Sequence, residues 1–121
     1  MSKIFFNISN HPQSGWSQRQ LEAALVLADD VTGINFPNID PRATTEEVVA
    51  LAGTIAGRIP DGSVCMIMGE SSMVYALTNL LRDNCVLVVA TTERKVVEVT
   101  NSEGTVVKTA TFEFVQFRRL N

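Results

Sequence analysis

The chain has 121 residues with 10 basic and 13 acidic side chains, one histidine and a formal charge of −3, and its pI is near 5.0. That length supports one compact domain, residues 1–121, with a single core and one site or half of one. The acidic balance excludes a surface that grips long nucleic acid, which needs clustered lysine and arginine to displace counterions, but it is compatible with a small nucleotide in a local pocket.

No apolar run approaches the roughly 20 residues needed to span a bilayer. Met1-Ser2-Lys3 leads into a strand rather than a cleavable signal, so a soluble, cytoplasmic protein without membrane contact is expected.

Lys3 to Ile8 reads as a first strand, followed by the loop Ser9-Asn10-His11-Pro12-Gln13-Ser14-Gly15. Ser17 is placed to cap a helix reaching about Ala28, with Leu21, Ala24, Leu25 and Ala28 at the spacing of one buried face. A strand from Val31 to Phe36 follows. Pro37 and Pro41 then break the pattern, and Thr44 or Thr45 with Glu47 starts a second helix whose apolar face is Val48, Leu51, Ala52, Ile55 and Ile59. Pro60-Asp61-Gly62 turns the chain into a strand at Val64 to Met68. Gly69-Glu70-Ser71-Ser72 leads into a helix with Met73, Val74, Leu77 and Leu81 inward, and Val86 to Ala90 is a fourth strand. Cys65 and Cys85 lack metal or redox spacing and read as reduced core residues.

Strands alternating with helices in this way imply right-handed crossovers and a mainly parallel, Rossmann-like α/β sheet flanked by helices over residues 1–94. Residues 95–121 change character. Lys95 to Val99 and Val106 to Phe117 are β-rich around Asn101-Ser102-Glu103-Gly104, the pattern of an antiparallel hairpin. Phe112, Phe114, Val115 and Phe117 place apolar side chains on both faces of its last strand, so either the domain's own helices or a second copy is expected to cover it.

Three polar segments follow predicted parallel strands: Ser9-Asn10-His11, Gly69-Glu70-Ser71-Ser72 and Thr91-Thr92-Glu93-Arg94. In an open parallel sheet such segments are expected to converge on one rim. Gly69 lets a ligand approach the backbone, and the helix start after it offers N–H groups and hydroxyls for a phosphate oxygen. The competing reading is that packing alone requires the glycine. His11 is the only histidine, the residue type suited to proton transfer near neutrality. Arg94 offers a bidentate phosphate contact or an ion pair with Glu93 or Glu70. Glu70 beside a phosphate would repel it, so capping the helix is its simplest role. No phosphate-binding loop, dinucleotide fingerprint or metal-ligand spacing is present, and neither cofactor nor metal is expected.

Ile67-Met68-Gly69-Glu70, the run from Val89 to Glu98, and the ending Phe112-Glu113-Phe114-Val115-Gln116-Phe117-Arg118 together resemble small CRISPR-associated proteins with a CARF-like (CRISPR-associated Rossmann fold) domain, grouped with the ring nucleases of type III CRISPR systems. Ile8-Ser9-Asn10-His11 extends the likeness to the first half, although the family places serine directly beside histidine. The last strand carries Phe114 and Gln116 where the family often has a histidine or basic residue.

The resemblance implies binding of cyclic oligoadenylate, most of all cyclic tetra-adenylate, and its metal-independent cleavage by a ribose 2′-hydroxyl to end the CRISPR signal. It also implies a homodimer whose two-fold axis matches the ring. On that reading His11 is the acid or base, and Arg94 or Thr92 meets phosphate charge. Ser9, Asn10, Ser71 and Ser72 position the backbone, while Gly69, Glu70 and Thr91 complete the ligand contacts. The alternatives are a non-catalytic sensor or sponge for the same ring, a protein-interaction module using the Phe-rich hairpin, and an unrelated small-nucleotide enzyme.

Overall fold

Each apolar run becomes a strand of one five-stranded sheet in the computed structural model, which describes residues 2–121. The strands are β1 (Ile4–Ser9), β2 (Asp30–Asn35), β3 (Val64–Ile67), β4 (Val86–Thr100) and β5 (Val106–Arg119). The helices are α1 (Gln18–Leu27), α2 (Thr45–Ala56) and α3 (Ser71–Leu81). The order is β2-β1-β3-β4-β5; the first four strands are parallel and β5 runs antiparallel to β4. The chain is therefore an α/β protein with a mostly parallel sheet, helices on both faces and a C-terminal antiparallel hairpin.

The pleat of β1 sorts the core. Phe6 and Ile8 point to the face covered by α2 and α3, where they meet Val48, Ile55, Met73 and Leu77. Phe5 points to the opposite face, against Ala24 and Ala28 of α1 and against Met66 and Val88. Right-handed crossovers produce this division, because β1 leads outward to β2 through α1 whereas α2 and α3 carry the chain back the other way.

Local signals set the helix starts: Ser17 caps α1 by accepting from the Gln20 N–H, and Thr44 and Glu47 form a reciprocal capping box on α2. The strand order reverses between β1 and β3, which opens a crevice at their carboxyl ends.

Four expectations change. Leu25 and Leu51 are exposed rather than inward, because Ala24, Ala28 and Ala52 make the close approach to the sheet. Thr91-Thr92-Glu93-Arg94 is not a turn: β4 continues through it, held by β5 with Thr92 opposite Phe114 and Arg94 opposite Phe112. Propensity favours this continuation, since Thr91 and Thr92 are β-branched, Val96, Val97 and Val99 follow, and no glycine or proline interrupts the run. The hairpin consequently begins at Val86 within the core and has no break at residue 94.

The Phe-rich ending is covered in part by its own domain. A register shift at Thr91/Thr92 lets β5 turn Phe114 and Phe117 together toward α1, with ring centroids 4.9 Å apart. Phe112 and Val115 stay exposed. Farther out the hairpin projects as an arm whose Val96, Val97, Val99, Val106 and Val107 are all exposed. Its turn is closed by Asn101, whose side chain accepts from the Glu103 and Thr105 N–H groups, and by Gly104 at φ +81.

Cys65 and Cys85 are buried free thiols, and burial, followed by the neighbouring Cys85, pushes the Cys65 thiol upward. Among the described residues no helix is long and apolar enough to cross a membrane.

Candidate functional site

Within the apolar run of β1, Asn7 is the polar residue on the α1 face, and it is 2% exposed. A buried amide is tolerated only when its groups are bonded, and here they are. Asn7 Nδ2 donates to the His11 carbonyl oxygen at 2.8 Å and to Gln13 Oε1 at 3.2 Å. Ser9 Oγ donates to Asn7 Oδ1 at 2.6 Å and accepts from the His11 N–H at 3.1 Å. Gly33 of β2 leaves the space that Gln13 occupies, since a Cβ there would come within 2.9 Å of Gln13 Oε1. The loop after β1 is thus anchored from below, and the His11 side chain stays outside the network.

His11 lines a cleft of about 820 Å³ at the carboxyl end of the sheet. Its walls are the first turn of α1, with Ser17, Arg19 and Gln20; the strand ends at Met66, Met68, Ala90 and Thr92; and Trp16, Phe112 and Phe114. Trp16 is braced by Phe5 in a T-shaped pair at 6.0 Å and by Phe117 in a tilted pair at 6.1 Å. Arg19 has no carboxylate partner among the described residues, and Nη2 makes one long contact of 3.5 Å to the Val115 carbonyl oxygen. The acid in the lining, Glu113, is held by Lys95 at 2.9 Å, and this contact raises the Lys95 pKa. The cleft therefore combines an imidazole, an unpaired guanidinium, a hydroxyl and aromatic surface.

Of the residues singled out in the sequence, His11 and Thr92 meet in this cleft. Asn10 is exposed beside His11 in the same loop, whereas the Ser9 hydroxyl is buried and engaged below it. Thr91 donates its hydroxyl to the Gln116 carbonyl oxygen at 3.2 Å. Arg94 lies two residues beyond Thr92 on the arm, exposed, outside the cleft lining and without an ion pair among the described residues.

Gly69, Glu70, Ser71 and Ser72 do not join them. Ser71 and Ser72 border a groove of about 710 Å³ between α2 and α3, and Gly69 and Ser71 border a shallower hollow with Tyr75. Glu70 caps α3, accepting from the Ser72 and Met73 N–H groups at 3.1 and 3.0 Å and from the Ser72 hydroxyl. Those bonds, the Ser72 hydroxyl first, hold the Glu70 carboxyl below its ordinary pKa. They also engage the Ser72 and Met73 N–H groups and the Ser72 hydroxyl, donors for which a phosphate there would have to compete. At Gly69 a Cβ would lie 2.5 Å from the Phe36 ring, so packing accounts for the glycine.

Trp16 and Arg19, which line the cleft, and Asn7 and Gln13, which anchor the loop beneath His11, were not singled out from the sequence. An asparagine inside Ile4-Phe5-Phe6-Asn7-Ile8 was a visible signal, and so was the single tryptophan beside the loop. Arg19 gave none, because only the packing of α1 against β5 brings it to the cleft.

The fold and cleft define a small α/β protein with a polar and aromatic crevice at the carboxyl rim of a mostly parallel sheet. The chain matches the uncharacterized protein MJ1673 family over residues 3–118 and belongs to that family. No curated protein and no solved structure matches it.

Proposed function

We propose that the chain is a Rossmann-like, CARF-like protein that binds cyclic oligoadenylate, most of all cyclic tetra-adenylate, and opens the ring without a metal, ending type III CRISPR signalling. The observation that carries this reading is the cleft itself, where His11 and Thr92 meet Arg19 and aromatic surface beside the crevice between β1 and β3. In ring opening the ribose 2′ oxygen bonds to the adjacent phosphorus as the P–O5′ bond breaks. The 2′-hydroxyl loses its proton, and O5′ gains one. His11 is the acid or base for one of these transfers, and the cleft supplies orientation and positive charge. Asn10 and Thr92 contact the ligand from the rim, and Arg94 reaches phosphate from the arm.

A homodimer fits this reading, because a two-fold pair of clefts suits a ring of matching symmetry. The exposed valines of the arm and Phe112 also favour a second reading, in which the hairpin docks another protein and the cleft is incidental. Incubation with cyclic tetra- and hexa-adenylate in EDTA, followed by chromatography, separates these readings. Linear product that is lost in His11→Ala supports the ring nuclease. An intact ring that co-elutes with the protein makes it a sensor or sponge, and absence of binding favours the docking module.

A further inference from the structure

We propose that Trp16, Phe112 and Arg19 form a subsite for one nucleoside monophosphate unit, with the base against the two aromatic rings and the phosphate on the guanidinium. The inference rests on the reading that a nucleotide enters this cleft.

Three observations combine. Trp16 packs against Phe5 in a T-shaped pair and against Phe117 in a tilted one, which fixes its orientation, yet it remains only partly buried at the cleft wall. Phe112 is 67% exposed at the same wall, whereas Phe114 on the same strand is 7% exposed. A large aromatic left open in the same cleft as a fixed indole is a stacking surface, and every base has a π-face to place on it. Arg19 supplies charge that no carboxylate among the described residues neutralises, because Glu113 is already held by Lys95. An uncompensated guanidinium beside aromatic rings selects a flat ligand that carries an anion, and its fork matches phosphate oxygens.

Trp16 is the only tryptophan in the chain, so its emission reports directly on the subsite. The wild-type protein is titrated with AMP and with adenosine while emission is followed, and cyclic tetra-adenylate binding is measured in parallel by calorimetry. Saturable quenching by AMP is expected. Phe112→Ala weakens AMP and adenosine alike by about 10-fold, the loss of one stacking partner. Arg19→Gln weakens AMP by about 10-fold and leaves adenosine unchanged. Both side chains are exposed, and circular dichroism verifies that the variants fold.

Equal loss of AMP and adenosine in Arg19→Gln overturns the phosphate assignment. Unchanged emission with every nucleotide, while calorimetry still registers the ring, places the ring elsewhere and overturns the subsite without touching the proposed function. If neither method registers a nucleotide, both readings fall.

Discussion

The turns after β1 and after β3 begin alike, each a polar segment leaving a buried parallel strand, and they end in opposite conditions. After β1 the polar groups of Asn7, Ser9 and Gln13 bond inward to one another and to the His11 backbone, which leaves the imidazole free at the cleft. After β3 Glu70 folds back onto the first N–H groups of its own helix, and Phe36 fills the space over Gly69. The difference lies in what the local bonds leave over. The loop after β1 uses its polar groups on its own backbone and leaves a side chain at the cleft, whereas the turn after β3 uses its acid to cap the helix. Tertiary neighbours decide which occurs.

The largest expected effect tests that contrast directly. On the proposed ring-opening reading, His11→Ala is expected to lower turnover about 100-fold or more, the usual worth of a positioned acid or base, whereas Ser71→Ala stays within about twofold. Single-turnover assays under matched conditions decide it, and equal losses in the two variants would erase the distinction between the turns.

Gly69→Ala comes next. Its Cβ meets the Phe36 ring, so overpacking destabilises the fold by about 1–3 kcal/mol in urea unfolding while the His11 cleft keeps its ligand. Asn7→Leu is expected to cost a similar amount, about 1–3 kcal/mol, because the His11 carbonyl, Gln13 Oε1 and Ser9 Oγ lose their partner. Unlike Gly69→Ala it also loosens the loop, seen as faster proteolysis between Asn10 and Gly15; unchanged cleavage there would refute the anchoring role.

The smallest effect belongs to Glu70. Its carboxyl is held below the ordinary value in the folded protein, so the cap's contribution is present above the unfolded carboxylate range and is lost as pH falls through the lower folded value. Thermal melts of wild type and Glu70→Gln should therefore differ near neutrality and converge in strong acid. A constant difference across that range would show that the charge plays no part in the cap.

Much of the fold was legible. The apolar runs, the caps at Ser17 and Thr44 and the glycine-bearing turn after Asn101 are local signals, and each element they predict is present. The candidate cleft was legible only in part. His11 stood out by residue type, and Thr92 reached the cleft, though from within a strand rather than a turn. The polar run from Thr91 to Arg94 gave no sign that β5 would pair with it, because that pairing joins residues far apart in the chain.

By itself the amino-acid sequence determined the elements, their alternation and the mainly parallel sheet, because periodicity and capping act within a few residues. Only the tertiary structure decided that the start of α1 brings Trp16 and Arg19 to the strand ends, that Phe112 stays open while Phe114 is buried, and that the Gly69 turn borders a different hollow. Those outcomes depend on which helix covers which face of the sheet and on where the β4–β5 register shifts. Both are long-range packing choices that no local pattern encodes.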